Sequence, residues 1–439
     1  MVSNVWPASA ARDSTGALSI GGVDVRDAAA QFGTPLFILD EQDVRARARE
    51  YRIAATQVGA RQVYYAAKAF LATGIARWVH EEGLGIDVAS GGELAVALRA
   101  GVPGSDLLLH GNNKSIHEIE EAIGAGVSRI VLDSFEEIVR VADVASRLGI
   151  VQPVLVRVTI GVEAHTHEFI ATAHEDQKFG FSVSAGAAQE ALRRIAMLPS
   201  IEFRGLHSHI GSQIFDALGF EEAAVRIVGF MSHMSKELGI EFAELDLGGG
   251  MGIAYLESDD PLAIGQLAAQ IADAVARDCA AVGMPVPALA FEPGRAIIGP
   301  PGVTLYEVGT VKAVQTVDGL RTYVSVDGGM SDNIRPALYD AEYTVALASR
   351  TSEVEPMLVR VVGKHCESGD ILIREAYLPA DLAPGDLLVV AATGAYCRSM
   401  ASNYNYLPRP AVIGVNAGHA SVILRRETLN DVLALDPGA

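Results

Sequence analysis

The run Val63-Tyr-Tyr-Ala-Ala-Lys68-Ala-Phe70 ends a short apolar stretch on a single ammonium group. Two readings are open: a solvent-exposed strand cap, or a lysine in a dry pocket whose lowered pKa lets it form a Schiff base with a carbonyl cofactor. Further groupings could do chemistry beside it. In Asp246-Leu-Gly248-Gly249-Gly250-Met-Gly252, successive glycines let backbone N–H groups approach an anion such as a phosphate. The dinucleotide fingerprint fails because Ile253 takes the third glycine's place, and a glycine turn without a ligand reads equally well. Phe291-Glu292-Pro-Gly294-Arg295 sets a carboxylate and a guanidinium on a tight turn. That pair suits a ring nitrogen and an anion, or is a plain surface pair. His207-Ser-His209-Ile-Gly-Ser212 has the spacing of a metal pair, as has His165-Thr-His167. Zinc would need further His or Asp ligands, and the later strands end in Gly-Gly-Gly and Glu-Pro-Gly-Arg, so no metal is expected. Cys366, in Lys364-His-Cys-Glu367-Ser-Gly-Asp370, stands among charges, as a proton-donating thiol would; a buried structural thiol is the other reading. Tyr396 and the segment Arg335-Pro-Ala-Leu-Tyr339 add polar anchors in apolar surroundings.

These groups need a frame. From about residue 62, apolar runs of strand length alternate with amphipathic helical segments: 62–67, 84–89, 106–110, 129–133, 154–160, 203–209, 244–248 and 288–292. Eight such units predict an α/β fold, a (β/α)8 barrel, over residues 35–299, with an additional strand at Pro35–Leu39. After Gly299-Pro-Pro-Gly302, strand-like runs follow one another at 303–314, 321–327, 357–363, 371–376, 386–391 and 411–425. They predict an all-β domain over 300–439, with residues 1–34 packing on it. Barrel chemistry sits at the C-terminal strand ends. Polar residues collect there: Lys68, Asp87 with Ser90, His110 with Asn112, Arg157, His207 with His209, Gly248–Gly250, and Glu292 with Arg295.

Composition narrows the function classes. At 439 residues the chain exceeds one ordinary core, so two domains are expected. A formal charge of −20 disfavours nucleic acid and anionic membrane as partners. No apolar run reaches the length of a membrane span, and the first residues lack a secretory signal pattern. Three irregularly spaced cysteines, Cys279, Cys366 and Cys397, argue against a disulfide framework and for a cytoplasmic setting.

Together YYAAK68AF, IDVASGGEL, HSHIGSQ, DLGGGMG, FEPGR, CESGD and GAY396 resemble the fold-type III pyridoxal-phosphate decarboxylases, in particular the branch acting on diaminopimelate. The likeness runs from about residue 30 to 425, with the motifs in the family's order. It implies a barrel followed by a β domain, the arrangement that periodicity predicts independently. It further implies that Lys68 holds pyridoxal 5'-phosphate, that His209 stacks on its ring and that Glu292 pairs with the ring nitrogen. The phosphate would be held by Ser212, Gly249, Gly250, Gly294, Arg295 and Tyr396, with Asp87 and Glu93 supporting Lys68 and His209. Cys366 would donate the proton, reaching the site of a second subunit, so a homodimer with shared sites is implied.

The same resemblance assigns the small-molecule amino-acid substrate to Arg295, Arg335, Tyr339, Glu367 and Tyr396. Two arginines suit a distal carboxylate, which ornithine and lysine lack. The expected reaction is therefore decarboxylation of meso-2,6-diaminopimelate to L-lysine and CO2. A same-fold decarboxylase of ornithine, arginine or a carboxylated polyamine is the alternative. A racemase lacks support, since no catalytic tyrosine stands in place of the Cys366 motif, and a non-catalytic homologue would usually have lost Lys68 or Cys366. The segment 162–181, with His165, His167 and His174, is expected to form a loop over the site.

Overall fold

The computed structural model describes residues 4–161, 178–317 and 319–438. His165, His167 and His174 of the expected loop lie outside the described residues. The chain divides into two compact units. One comprises Arg47–Gly252 and Pro261–Gly294, the other Met1–Ala46, Ile253–Asp260 and Arg295–Ala439.

The first unit is a barrel. Its strands are β1 (Gln62–Ala66), β2 (Gly85–Val88), β3 (Leu107–Leu109), β4 (Arg129–Leu132), β5 (Gln152–Thr159), β6 (Ile201–His207), β7 (Glu244–Asp246) and β8 (Ala288–Phe291). Each runs parallel to the next, and β8 pairs with β1 through Ala290–Gln62 and Phe291–Val63, closing the ring. Parallel strands covered by helices are buried on both faces, which is why these segments read as continuous apolar runs. Tyr64, Leu108, Val131, Leu155 and Ala290 fill the interior as one cluster. Serines mark the turns from strand to helix. Ser90, Ser115 and Ser134 cap the helices Gly91–Arg99, Ile116–Gly124 and Phe135–Leu148, each hydroxyl accepting the N–H three residues on at 3.2–3.3 Å. Gly149, Gly239 and Gly283 close later helices in the left-handed conformation.

Charge stitches the N-terminal end of the barrel. Glu244, the first residue of β7, accepts from Arg129 Nε at 3.0 Å and Nη2 at 2.6 Å, from Arg204 Nε at 3.2 Å, and from Arg61. Arg129 and Glu244 are both buried.

The second unit is built on the strand Gly302–Thr316, which pairs antiparallel with Leu36–Asp40, Gly319–Val326 and Leu387–Val390. Leu36–Asp40 also pairs with Ala411–Asn416. The strand expected as an addition to the barrel segment therefore belongs to this sheet, and the boundary near residue 34 gives way to one at Ala46. Its side chains explain the placement: Leu36 and Ile38 share one apolar cluster with Val303, Leu305, Val389 and Ile413. Val5, Trp6, Leu18 and Ile20 of the N-terminal segment join the same cluster. The run 411–425 is two strands, Ala411–Asn416 and His419–Leu424, because Ala417 and Gly418 both take positive φ and turn the chain back on itself. Val345–Leu347, a strand the sequence reading did not contain, pairs with Leu387–Val390.

Removing Glu244 would leave Arg129 buried without its anion. Glu244→Ala is expected to cost about 3 kcal/mol, and Arg61→Ala, at a half-exposed guanidinium, less than about 1 kcal/mol. Denaturation midpoints of the two variants check the ordering.

Candidate functional site

The C-terminal ends of the barrel strands converge on Glu292, which follows β8 and is buried. His110, after β3, sets Nε2 2.6 Å from Glu292 Oε1, and His207, the last residue of β6, sets Nε2 3.3 Å from Oε2. The imidazoles meet edge to face, with centroids 4.7 Å apart. His207 Nδ1 is buried and has no hydrogen-bond partner among the described residues. A bare lone pair costs less there than an unsatisfied N–H, so the His207 proton sits on Nε2 and is donated to Glu292. Asp87 Oδ1 lies 3.8 Å from His110 Nε2, and Asp246 accepts from Gly248 N at 2.8 Å.

Burial dominates the electrostatics. It pushes His110 down to about 4 and lowers His207, so both imidazoles are neutral donors near pH 7. Burial, then the charge on Glu292, drives Asp87 and Asp246 well above the carboxylate range. Burial pushes Glu292 upward too, yet the two imidazoles outweigh it and hold the carboxyl well below its usual range. Of the three buried carboxyl groups, Glu292 is the one whose surroundings favour the anion.

Lys68 stands in a tight turn after β1 that buries Ala67 and Ala69 and leaves the lysine exposed. Its charge nevertheless acts on Asp87, His207 and His209, which surround the barrel mouth. His209 is half-buried, and its Nδ1 accepts the Gly249 N–H at 3.2 Å. Burial, followed by Lys68, lowers its pKa well below the ordinary value. The glycines have steric reasons of their own: a Cβ on Gly249 would lie 2.3 Å from Glu292 O, and one on Gly250, at φ +108°, 2.4 Å from Gly211 O. The segments of Ser212 and Gly250 are laced together by Ile214 N to Gly250 O and Gly252 N to Ile214 O, each 2.9 Å. A Cβ on Gly294 would meet Ala66 O at 2.9 Å. Glu93 is half-buried at a helix start, accepting from Ala89 N at 2.7 Å, and burial raises its pKa. Arg157 lies 4.0 Å from Asp133 and 4.5 Å over the Phe179 ring.

The β unit holds a second group. Arg335, on the helix Arg335–Tyr339, is 4% exposed and donates to Tyr255 Oη at 2.9 Å and to Tyr343 Oη. Among the described residues it makes no salt bridge. Arg295 is 8% exposed, donates to the same Tyr255 hydroxyl and lies 4.6 Å over the Tyr396 ring. Tyr343 Oη lies 3.7 Å from Cys397 Sγ, and burial pushes that thiol up to about 11. The tyrosines holding Arg335 are Tyr255 and Tyr343, which sequence reasoning missed; Tyr339, expected as a substrate contact, is half-buried at the end of the same helix. Cys366 and Glu367 are exposed on a turn, where Glu367 Oε1 accepts from Gly369 N at 3.1 Å.

Residues 42–299 match the family described as pyridoxal-dependent decarboxylase, pyridoxal binding domain, and residues 297–394 match its C-terminal sheet domain. The chain belongs to the pyridoxal-dependent decarboxylases. It is 57% identical over 441 residues to the diaminopimelate decarboxylase of Mycobacterium leprae (strain TN), covering 99% of this chain and 93% of that one. Against the diaminopimelate decarboxylase of Mycobacterium bovis it is 56% identical over 99% of this chain and 98% of the relative. The crystal structure of diaminopimelate decarboxylase from M. jannaschii in complex with L-lysine superposes with a TM-score of 0.91 at 31% identity, covering 98% of both chains.

Pyridoxal phosphate, the group this family carries, fits the barrel residues: an exposed amine, a buried carboxylate kept anionic, and a close-packed glycine turn beside a serine. The donor atoms of His110, His207 and Glu292 also lie within 4.8 Å of one another, so Glu292 does join two histidines, contrary to the view that these strand ends offer poor metal ligands. The 2.6 Å contact between His110 and Glu292 is a hydrogen bond, with the imidazole proton between the two atoms.

An imidazole whose folded pKa lies below its unfolded value binds fewer protons in the fold. The stability it contributes is therefore present above about pH 6.5 and lost as pH falls toward 4. Between pH 7 and 4.5, His110→Asn is expected to lose about 2 kcal/mol less stability than the parent protein. Urea unfolding of the cofactor-free protein at the two pH values reads this difference.

Proposed function

We propose that the protein decarboxylates meso-2,6-diaminopimelate to L-lysine and CO2, the last step of lysine biosynthesis, using pyridoxal 5'-phosphate. The observation that carries the substrate is Arg335. A guanidinium taken out of water, whose hydrogen-bond partners among the described residues are phenol oxygens, has its hydrogen bonds partly met and its charge unmet by them, so it favours an anionic ligand. A distal carboxylate, which diaminopimelate has and ornithine lacks, supplies that anion in bidentate form. Arg295, sharing the Tyr255 hydroxyl with Arg335, adds a second charge of the same sign. Tyr339, Glu367 and Tyr396 complete the proposed substrate contacts.

Pyridoxal phosphate, when bound, supplies the electron sink that accepts the pair left behind as CO2 departs. Lys68 offers the amine for carbonyl attachment, and its exposure leaves it open to exchange with a substrate amine. Glu292, anionic and fixed by His110 and His207, is suited to hold a proton on a ring nitrogen. His209, kept neutral, gives an uncharged ring to stack on the cofactor, with Asp87 behind. Ser212, Gly249, Gly250, Gly294, Arg295 and Tyr396 would hold the phosphate. In this structure the Gly249 N–H is engaged by His209, so the Gly249 contribution requires that ring to shift. Cys366 protonates the carbon that loses CO2, and Cys366 with Glu367 serves the site of a second chain, making the functional unit a homodimer. Their exposure on a surface turn supports that role. Three unpaired cysteines support a cytoplasmic setting, and among the described residues no helix is long and apolar enough to cross a membrane.

The purified protein is expected to release CO2 from meso-diaminopimelate and at least about a hundredfold less from ornithine, arginine or lysine, the separation that a desolvated, unpaired charge gives. No release from diaminopimelate overturns the proposal. Lys68→Ala should abolish the yellow absorbance of lysine-bound pyridoxal, and Arg335→Gln should raise KM for diaminopimelate about tenfold or more.

A further inference from the structure

The turn carrying Cys366 is braced from one side by a segment that no motif announced. Asn405 and Tyr406 both take the left-handed conformation, φ +53° and +60°, which asparagine tolerates and tyrosine rarely adopts. Asn405 Oδ1 accepts two hydrogen bonds, from the His365 ring Nδ1 at 3.0 Å and from the Cys366 backbone N–H at 3.4 Å. The His365 ring is buried and stacks on Tyr404 at 5.1 Å, with its Nε2 2.8 Å from Ser331 Oγ. The His365 backbone N–H donates to Asp370 Oδ2 at 2.8 Å, and Met330 N to Asp370 Oδ1 at 2.6 Å. A Cβ on Gly363 would lie 2.2 Å from the Asp370 carboxylate, so the base of the turn is close-packed as well. Among the described residues, the side-chain bonds that tie the turn to other segments are made at its foot, while Cys366 to Gly369 form an exposed tip bonded within itself through Glu367.

We propose that Asn405 is a positioning residue for the thiol of Cys366, with His365 as the ring it holds. The proposal rests on the reading that Cys366 donates the proton. One oxygen tied to the ring of residue 365 and to the N–H of residue 366 fixes the peptide plane between them, and with it the direction in which the Cys366 side chain leaves the turn. In the reaction the C–C bond to the carboxylate breaks, CO2 leaves, the remaining electron pair takes the thiol proton, and water reprotonates the thiolate. A donor with one fixed direction delivers its proton to one face of that carbon; a donor free to swing, or water in its place, delivers to both.

Asn405→Gly tests this, because glycine keeps the left-handed turn and removes only the amide. In D2O the parent protein is expected to place deuterium in one configuration at the carbon that lost CO2. Asn405→Gly should give both configurations, with kcat lowered on the order of tenfold, KM within about twofold and the bound cofactor's absorbance unchanged. Asn405→Asp, which keeps the acceptor oxygen, should restore the single configuration, and His365→Gln should again give the mixture. Parental kcat and a single configuration from both Asn405→Gly and His365→Gln overturn the proposal. Cys366→Ala separates the two claims: full activity there removes the proton-donor reading itself, whereas its loss alongside an unaltered Asn405→Gly removes only the role of Asn405.

Discussion

Holding one negative charge out of water is the constraint around which the barrel mouth is organised. Glu292 meets it with an imidazole on each carboxylate oxygen. A second ionised carboxylate at Asp87 or Asp246 would repel the first in a medium that screens poorly, so burial and that repulsion push both of those carboxyls up while the imidazoles hold Glu292 down. The neutral state of His110 and His207 follows from the same burial. A cationic imidazole would neutralise Glu292 and leave no net charge for a ring N–H to meet. The residues supplying these groups come from the ends of β2, β3, β6, β7 and β8, so closure of the ring is what assembles them.

The barrel and the β unit treat charge differently. At the N-terminal end of the barrel Glu244 is shared by three arginines and every partner is a fixed side chain. That arrangement serves stability alone. In the β unit, Arg335 and Arg295 converge on a phenol, which satisfies donor geometry without cancelling charge.

Much of this was legible in the chain. All eight barrel strands lie where short apolar runs recur between helical patterns, because a parallel strand buried on both faces has no alternation to blur it. Lys68, Glu292 and the histidines could be placed at strand ends from that spacing. Other features depend on contacts between residues far apart in sequence, which no local pattern encodes. Leu36–Asp40 reads as a strand, but its partners at 302–305 and 411–415 appear only in the fold. His110 could be placed at a strand end, but its partnership with Glu292, 182 residues away, appears only when β3 and β8 bring the two together. Tyr255 and Tyr343 lie outside every motif, and Asn405 is marked only by a backbone conformation.

The placement of Leu36–Asp40 also orders events in time. Its neighbours in the sheet are among the last parts of the chain to be made, whereas β1 to β8 lie within one stretch of the sequence. Until those neighbours are made, this early strand, apolar except for Asp40, has unpaired edges on both sides. The strand therefore gains its pairing only once residues 302–305 and 411–415 have been added, and until then its open edges are of the kind that invite pairing with another chain.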